Sequence, residues 1–264
     1  MTALVYIPFM KTVGGGAKAF TRIELAVVLA VIAALLVMLV PATDRERQQS
    51  RRITCIYNLK QIGVAYRVWS NDHGDQFPAS TSETNGGWRD LVCLASASTY
   101  VWTNYATMAN ELGQSPSVLV CPTDERKPAN TFRDLAANTN ISYFSGVNAD
   151  DTHPQAPLGG DRNLGPGTTP DPEYGFSPAD GRGNDVVING PVCWSLKMHS
   201  CGNPAGAGNI LLGDGSAQQV TSGNLYGNWV KNALAEKAAH REAANFTKAT
   251  NSDTKFAGLR LIFP

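Results

Sequence analysis

Charge is scarce in this chain of 264 residues: only 17% are Asp, Glu, Lys or Arg, and 22 basic side chains meet 22 acidic ones. A neutral chain lacks the basic face that grips nucleic acid by its phosphates, so no nucleic-acid partner is expected. Aromatic residues are also few, at 8%. Catalytic signatures are missing as well. The four histidines, His73, His153, His199 and His240, are scattered, and there is no His-Glu-x-x-His, Gly-x-Ser-x-Gly or phosphate-loop pattern. The five cysteines contain no Cys-x-x-Cys pair, so the spacing of a zinc knuckle is absent. Carboxylates such as Asp161, Asp171, Asp180 and Asp185 are expected in Gly/Pro-rich loops and lack the twelve-residue order of an EF-hand. These absences predict no enzyme, no metal and no cofactor.

What is present is 43% hydrophobic residues, enough to exclude a wholly disordered chain, with 25 Gly and 15 Pro that point to a loop-rich body rather than a helical bundle. Long apolar runs are absent except for one. Leu25 to Val40 is uncharged throughout, and with Phe20 and Ile23 ahead of it the segment from Phe20 to Val40 spans roughly 30 Å as a helix, the thickness of a bilayer core. The run is longer than the core of a cleaved secretory signal, and no A-x-A site follows it directly. A single-pass membrane helix is predicted. Lys11, Lys18 and Arg22 before it and Arg45, Arg47, Arg51 and Arg52 after it leave its orientation open. Glu24 lies inside the apolar segment, where a carboxylate calls for a positive partner or for access to the headgroups.

The string AKAFTRIELAVVLAVIAALLVMLVP resembles the cleavage and methylation segment of type IV prepilins and type II secretion pseudopilins. With Phe20 taken as the first mature residue, Thr21 is second, Glu24 fifth and Pro41 twenty-second, as in that family. Ala19 before the cut replaces the usual Gly, and Arg22 stands where an apolar residue is common. The resemblance implies cleavage between Ala19 and Phe20, methylation of the Phe20 amine, a kink at Pro41, and a role for Glu24 in neutralising the amine of a neighbouring subunit. It also orients the chain in a bacterial inner membrane, leader inside and everything after Pro41 outside. The implied partners are a prepilin peptidase, an inner-membrane assembly platform, other pilin or pseudopilin subunits and membrane lipid.

Beyond Pro41, Ile53, Ile56, Leu59, Ile62, Tyr66 and Trp69 recur at steps of three and four, which predicts an amphipathic helix ended by the turn formers from Asn71 to Asp75. The stretch holding Cys55, Asn58, Leu59, Lys60, Gln61, Asp72, Gly74, Phe77 and Pro78 is similar to a pseudopilin subgroup abundant in planctomycetes and verrucomicrobia. Shorter matches follow at Cys121-Pro122, at residues 140–143, 160–163 and 208–216, and at 260–264. In that subgroup a His often stands some nine residues before the Asp-Gly; here the nearest is His199, further from Asp214. Asp214-Gly215 between short apolar segments signals a hairpin, residues 226–247 a second amphipathic helix, and Leu259 to Phe263 a last strand. An exported body would face an oxidising exterior, where Cys55, Cys93, Cys121, Cys193 and Cys201 can form at most two disulfides.

The expectation is therefore an α+β, pilin-like fold: a long N-terminal hydrophobic helix packed on a small antiparallel sheet with loop-rich insertions. Residues 1–19 would be the leader, 20–70 the long helix and 71–264 the exported domain. The function expected is that of a subunit in a type II secretion or type IV pilus-like filament. The alternative is an anchored module that binds a glycan with exposed aromatics such as Trp88, Trp102 and Trp194 and does not polymerise.

Overall fold

The computed structural model describes residues 21–93, 100–150, 153–200, 205–234 and 259–264, leaving aside the side chains of 38–45, 93 and 200. Ala19, Phe20 and the rest of the expected leader lie outside the described residues. The chain divides into two compact units, Met1–Glu46 and Arg47–Pro264.

In the first unit, helix α1 (Arg22–Asp72) starts on a capping box. The Thr21 amide and hydroxyl both donate to Glu24 Oε2, at 2.8 and 2.9 Å, and the Glu24 amide returns a bond to Thr21 Oγ1 at 3.2 Å. Two of the amides that a helix start leaves unpaired are thereby satisfied. The large apolar side chains from Ile23 to Val37 are exposed. Among the described residues no helix is long and apolar enough to cross a membrane; the described side chains of this run stop at Val37, whereas the apolar sequence continues to Val40. Pro41 lies within α1, its side chain outside the described set.

In the second unit, α1 buries Cys55, Leu59, Ile62, Ala65, Tyr66 and Trp69. This stripe corrects the expected one at its start, because Ile53 is 46% exposed. At about 100° per residue, Ile53 sits roughly 160° around the helix from Cys55, so a chain of three-residue steps drifts off the face it began on. The helix then ends as its turn residues predict, with Gly74 and Asp75 left-handed at φ +67° and +59°. After it come short helices α2 (Arg89–Cys93) and α3 (Val101–Ala106).

The body is α+β, built on a six-stranded antiparallel sheet. Its strands are β1 (Tyr143–Gly146), β2 (Pro157–Asp161), β4 (Asn184–Ile188), β6 (Ala207–Leu212), β7 (Ala217–Thr221) and β8 (Leu259–Phe263), in the order β4-β8-β1-β2-β6-β7. A separate pair joins β3 (Leu164–Pro166) to β5 (Val192–Trp194). Alternation sorts the sheet's side chains. Tyr143, Leu158, Leu211 and Ile262 pack with the buried stripe of α1, whereas Phe144, Ile210, Leu212, Leu259, Leu261 and Phe263 pack on the other face with Trp194, Leu225 and Val230. Both faces are thus covered, and β1, β2, β6 and β8 are buried along their whole length. Asp214-Gly215 makes the expected β6–β7 hairpin, with Gly215 at φ +82°. The helix expected from residue 226 begins earlier, as a turn at Ser222–Asn224 and a π-helix over Leu225–Val230. Its expected continuation past 234 lies outside the described residues.

Candidate functional site

Four side chains with metal-binding atoms meet in the core: Cys55, Cys121, Asp161 and His199. Cys55 comes from the buried stripe of α1, and Cys121 from the loop after a 3-10 turn at Pro116–Leu119. Asp161 ends β2, and His199 sits in a 3-10 turn at Met198–Ser200, entered through a left-handed Met198 at φ +60°. Their ligating atoms all lie within 4.8 Å of one another. The two cysteines and the aspartate are fully buried and the histidine is 6% exposed.

The contacts run around a ring. Cys55 Sγ donates to Asp161 Oδ1 at 3.1 Å, Asp161 Oδ2 is 3.2 Å from His199 Nε2, and His199 Nε2 is 3.3 Å from Cys121 Sγ. An outer layer holds each member. The Tyr143 hydroxyl is 3.4 Å from Cys55 Sγ, the Thr123 hydroxyl lies 3.0 Å from Cys121 Sγ and 3.3 Å from His199 Nδ1, and the Asn209 amide donates to Asp161 Oδ2 at 2.7 Å. Burial pushes the Cys55 thiol well up. Burial also acts to raise Cys121, but hydrogen bonds from Cys55 and His199 win and draw it down to about 6. Burial opposes charge on His199, yet the Asp161 carboxylate outweighs it and lifts the imidazole to about 10. Half-buried Arg52 is drawn down by its own burial, with Asp161 opposing that shift.

Three consecutive residues build this geometry. Asp161 enters the ring. Arg162 points away from it and forks onto Asp124, with Nε and Nη2 at 2.8 and 2.9 Å from the two carboxylate oxygens, while its guanidinium stacks 3.4 Å from the Tyr174 ring centroid. Asp124 belongs to the loop that carries Cys121 and Thr123, so this ion pair fixes that loop. Arg126 completes the anchoring by donating to the carbonyls of Asn138, Ile141, Pro178 and Pro264. Asn163 then donates through Nδ2 to the carbonyls of Lys197 and Ala207, at 3.0 and 3.1 Å, which positions the turn bearing His199.

Cys55, Cys121, Tyr143, Asp161, His199 and Asn209 therefore converge on one buried point, although their spacing does not announce it. Two expectations are corrected here. Cys55, Cys121 and Cys193 are free thiols, the first two facing Asp161 and His199 and the third donating to the Thr169 carbonyl at 3.2 Å; the side chains of Cys93 and Cys201 lie outside the described residues. A metal-capable ligand set, which local spacing predicted to be absent, is assembled instead by long-range folding, with 106 residues separating Cys55 from Asp161 and 78 separating Cys121 from His199. Trp88 and Trp194, expected as glycan platforms, are fully buried in the two core clusters. Glu24, to which the resemblance gives a role in assembly, caps α1.

Comparison with protein-family models, with curated proteins and with solved structures finds no match.

Proposed function

We propose that this chain is a pseudopilin-type subunit, cut between Ala19 and Phe20, methylated on Phe20, held in a bacterial inner membrane by its N-terminal helix and assembled with other subunits in a secretion or pilus-like filament. The observation that carries this reading is α1. One helix combines an exposed apolar stretch from Ile23 to Val37 with a second part whose stripe is core to an α+β body. Its capped start at Thr21 falls directly after the residue that would be the new N-terminus. Apolar side chains in such number are costly in water, at about 25 cal/mol per Å² of exposed area, and a bilayer or a sheath of like helices relieves that cost. The body would lie outside the cytoplasmic membrane and act as a structural and interaction domain rather than an enzyme. The glycan-binding alternative loses its aromatic platform, since two of its three tryptophans are core residues.

The test is the intact mass of the chain made in a host with a prepilin peptidase and its assembly platform. A mature chain starting at a methylated Phe20 is expected. An uncut chain starting at Met1 in that host overturns the reading.

A further inference from the structure

We propose that Cys55, Cys121, Asp161 and His199 form a closed structural zinc site that ties α1 to the sheet and to two loops. The donor set is two thiols, one imidazole and one carboxylate, four ligands of the kinds zinc takes in tetrahedral sites. A tetrahedron with Zn–S of about 2.3 Å and Zn–N and Zn–O of about 2.0 to 2.1 Å has edges of roughly 3.3 to 3.8 Å. Cys55 Sγ is 3.1 Å from one Asp161 oxygen, His199 Nε2 is 3.2 Å from the other and 3.3 Å from Cys121 Sγ, and with one ligand atom taken from each residue no two are further apart than 4.8 Å. The donors surround a common point at nearly the separation that zinc imposes.

The hydrogen bonds alone do not satisfy this arrangement. His199 Nε2 has Asp161 Oδ2 at 3.2 Å, Cys121 Sγ at 3.3 Å and the side-chain amide of Asn209 at 3.1 Å around it. One N–H or one lone pair cannot serve three such neighbours at once. Among the described residues the buried Asn209 Oδ1 has no hydrogen-bond partner. A cation at the centre relieves this crowding among the ring members, because each then turns a lone pair inward, the cysteines as thiolates and His199 as a neutral imidazole, with the displaced protons released to solvent. The outer layer matches what metal ligands use. Thr123 Oγ1 stands at His199 Nδ1, free to accept its proton and leave Nε2 for the metal, and the Asn209 backbone amide donates to Asp161 Oδ2 and orients the carboxylate. Two thiolates and one carboxylate would leave a zinc site with a net charge of minus one, next to the cationic Arg52. With four protein ligands and full burial no position is left open for substrate, so the role is structural.

The proposal stands apart from the assembly reading and is tested on the full chain in solution. Zinc analysis of the purified chain should give one equivalent. After chelator stripping, cobalt(II) alone is added as the probe. The expected result is one cobalt per chain with the intense visible bands of a tetrahedral ion and a near-ultraviolet thiolate-to-metal band, both erased by one equivalent of zinc. Cys121→Ser and His199→Ala should remove the thiolate-to-metal band or the stoichiometry, and Cys193→Ser should preserve both. Because a ligand variant can fail to fold, Asp161→His serves as rescue: it keeps four donors and should bind one cobalt with a shifted spectrum. Thr123→Val should weaken zinc binding by roughly 10- to 100-fold without abolishing it. The proposal is overturned if the wild-type chain takes up no stoichiometric zinc or cobalt, if bound cobalt is octahedral without the thiolate band, if Cys121→Ser leaves the spectrum unchanged, or if the metal-free chain as isolated carries a Cys55–Cys121 disulfide.

Discussion

Glu24 carries two tasks that substitutions can separate. As the fourth residue of a Thr-x-x-Glu box it accepts both bonds from Thr21, and in the proposed filament its charge would neutralise a neighbouring Phe20 amine. Gln can fill the capping position but carries no charge. Glu24→Gln is therefore expected to leave the first turn of α1 protected while abolishing incorporation, read by amide exchange and by crosslinking into filaments. Thr21→Val should do the reverse, costing about 1 kcal/mol at the helix start and leaving incorporation intact. The box stands in the sequence as TRIE, where the charge of its Glu inside an apolar run is the louder signal. Asp124 offers a second residue-scale test. Burial alone would raise its carboxyl, but the Arg162 fork holds it below the usual carboxylate range. A depressed folded value means that its stabilisation is complete above the unfolded value, near 3.8, and is lost as pH falls through the lower folded value. Melting temperature should drop steeply below about pH 4. Asp124→Asn should flatten that drop and, by leaving Arg162 buried without its anion, cost about 3 to 5 kcal/mol at neutral pH.

At the scale of elements, the fit of α1 against the sheet rests on Gly63. A Cβ there would meet Leu211 Cδ1 at 2.8 Å and the Gly215 carbonyl at 3.0 Å, so the helix lies against the β6–β7 hairpin at a distance only glycine permits. In an exposed helix, Gly to Ala gains about 1 kcal/mol. Here overpacking should outweigh that gain, and Gly63→Ala is expected to destabilise the body by about 1 to 2 kcal/mol in denaturant titrations. Local signals of this size were legible in sequence: the helix stop after Asp72, the Asp-Gly hairpin and the β8 segment all formed where turn chemistry and alternation put them. The exact buried face of α1 was not, because the apolar Ile53 and Ile56 compete with Cys55 and Ala65 for it and only contact with Tyr143 and Leu211 decides. The ring of Cys55, Cys121, Asp161 and His199 was less legible still. Its members come from four elements, and nothing local marks a lone cysteine as one quarter of a site.

For the whole molecule, the division at Glu46 predicts that residues 47–264 form a cooperative body without the apolar segment before them. A chain cut to 47–264 should be monodisperse in the absence of detergent and should melt in one transition by both far- and near-ultraviolet dichroism. The two-faced burial of the sheet explains why: among the described residues its core clusters draw on α1 from Cys55 onward. Fold class could be read from composition and periodicity, but strand order could not. Each strand announces itself by alternation, whereas its neighbour is chosen by pairing across long stretches of chain.

The position of β8 has a consequence in time. It lies between β4 and β1, pairing Asp185 with Ile262 and Ser145 with the same Ile262. A ribosome delivers Asp185 more than seventy residues, and Ser145 more than a hundred, before it delivers β8 itself. Until Leu259 to Phe263 emerge, β1 and β4 each wait with an open backbone edge, the geometry most prone to pair with the wrong chain. Long-range closure of this kind is also slow. A nascent body that already holds the other five strands cannot yet join its sheet, so its most vulnerable interval is the wait between β7 and β8.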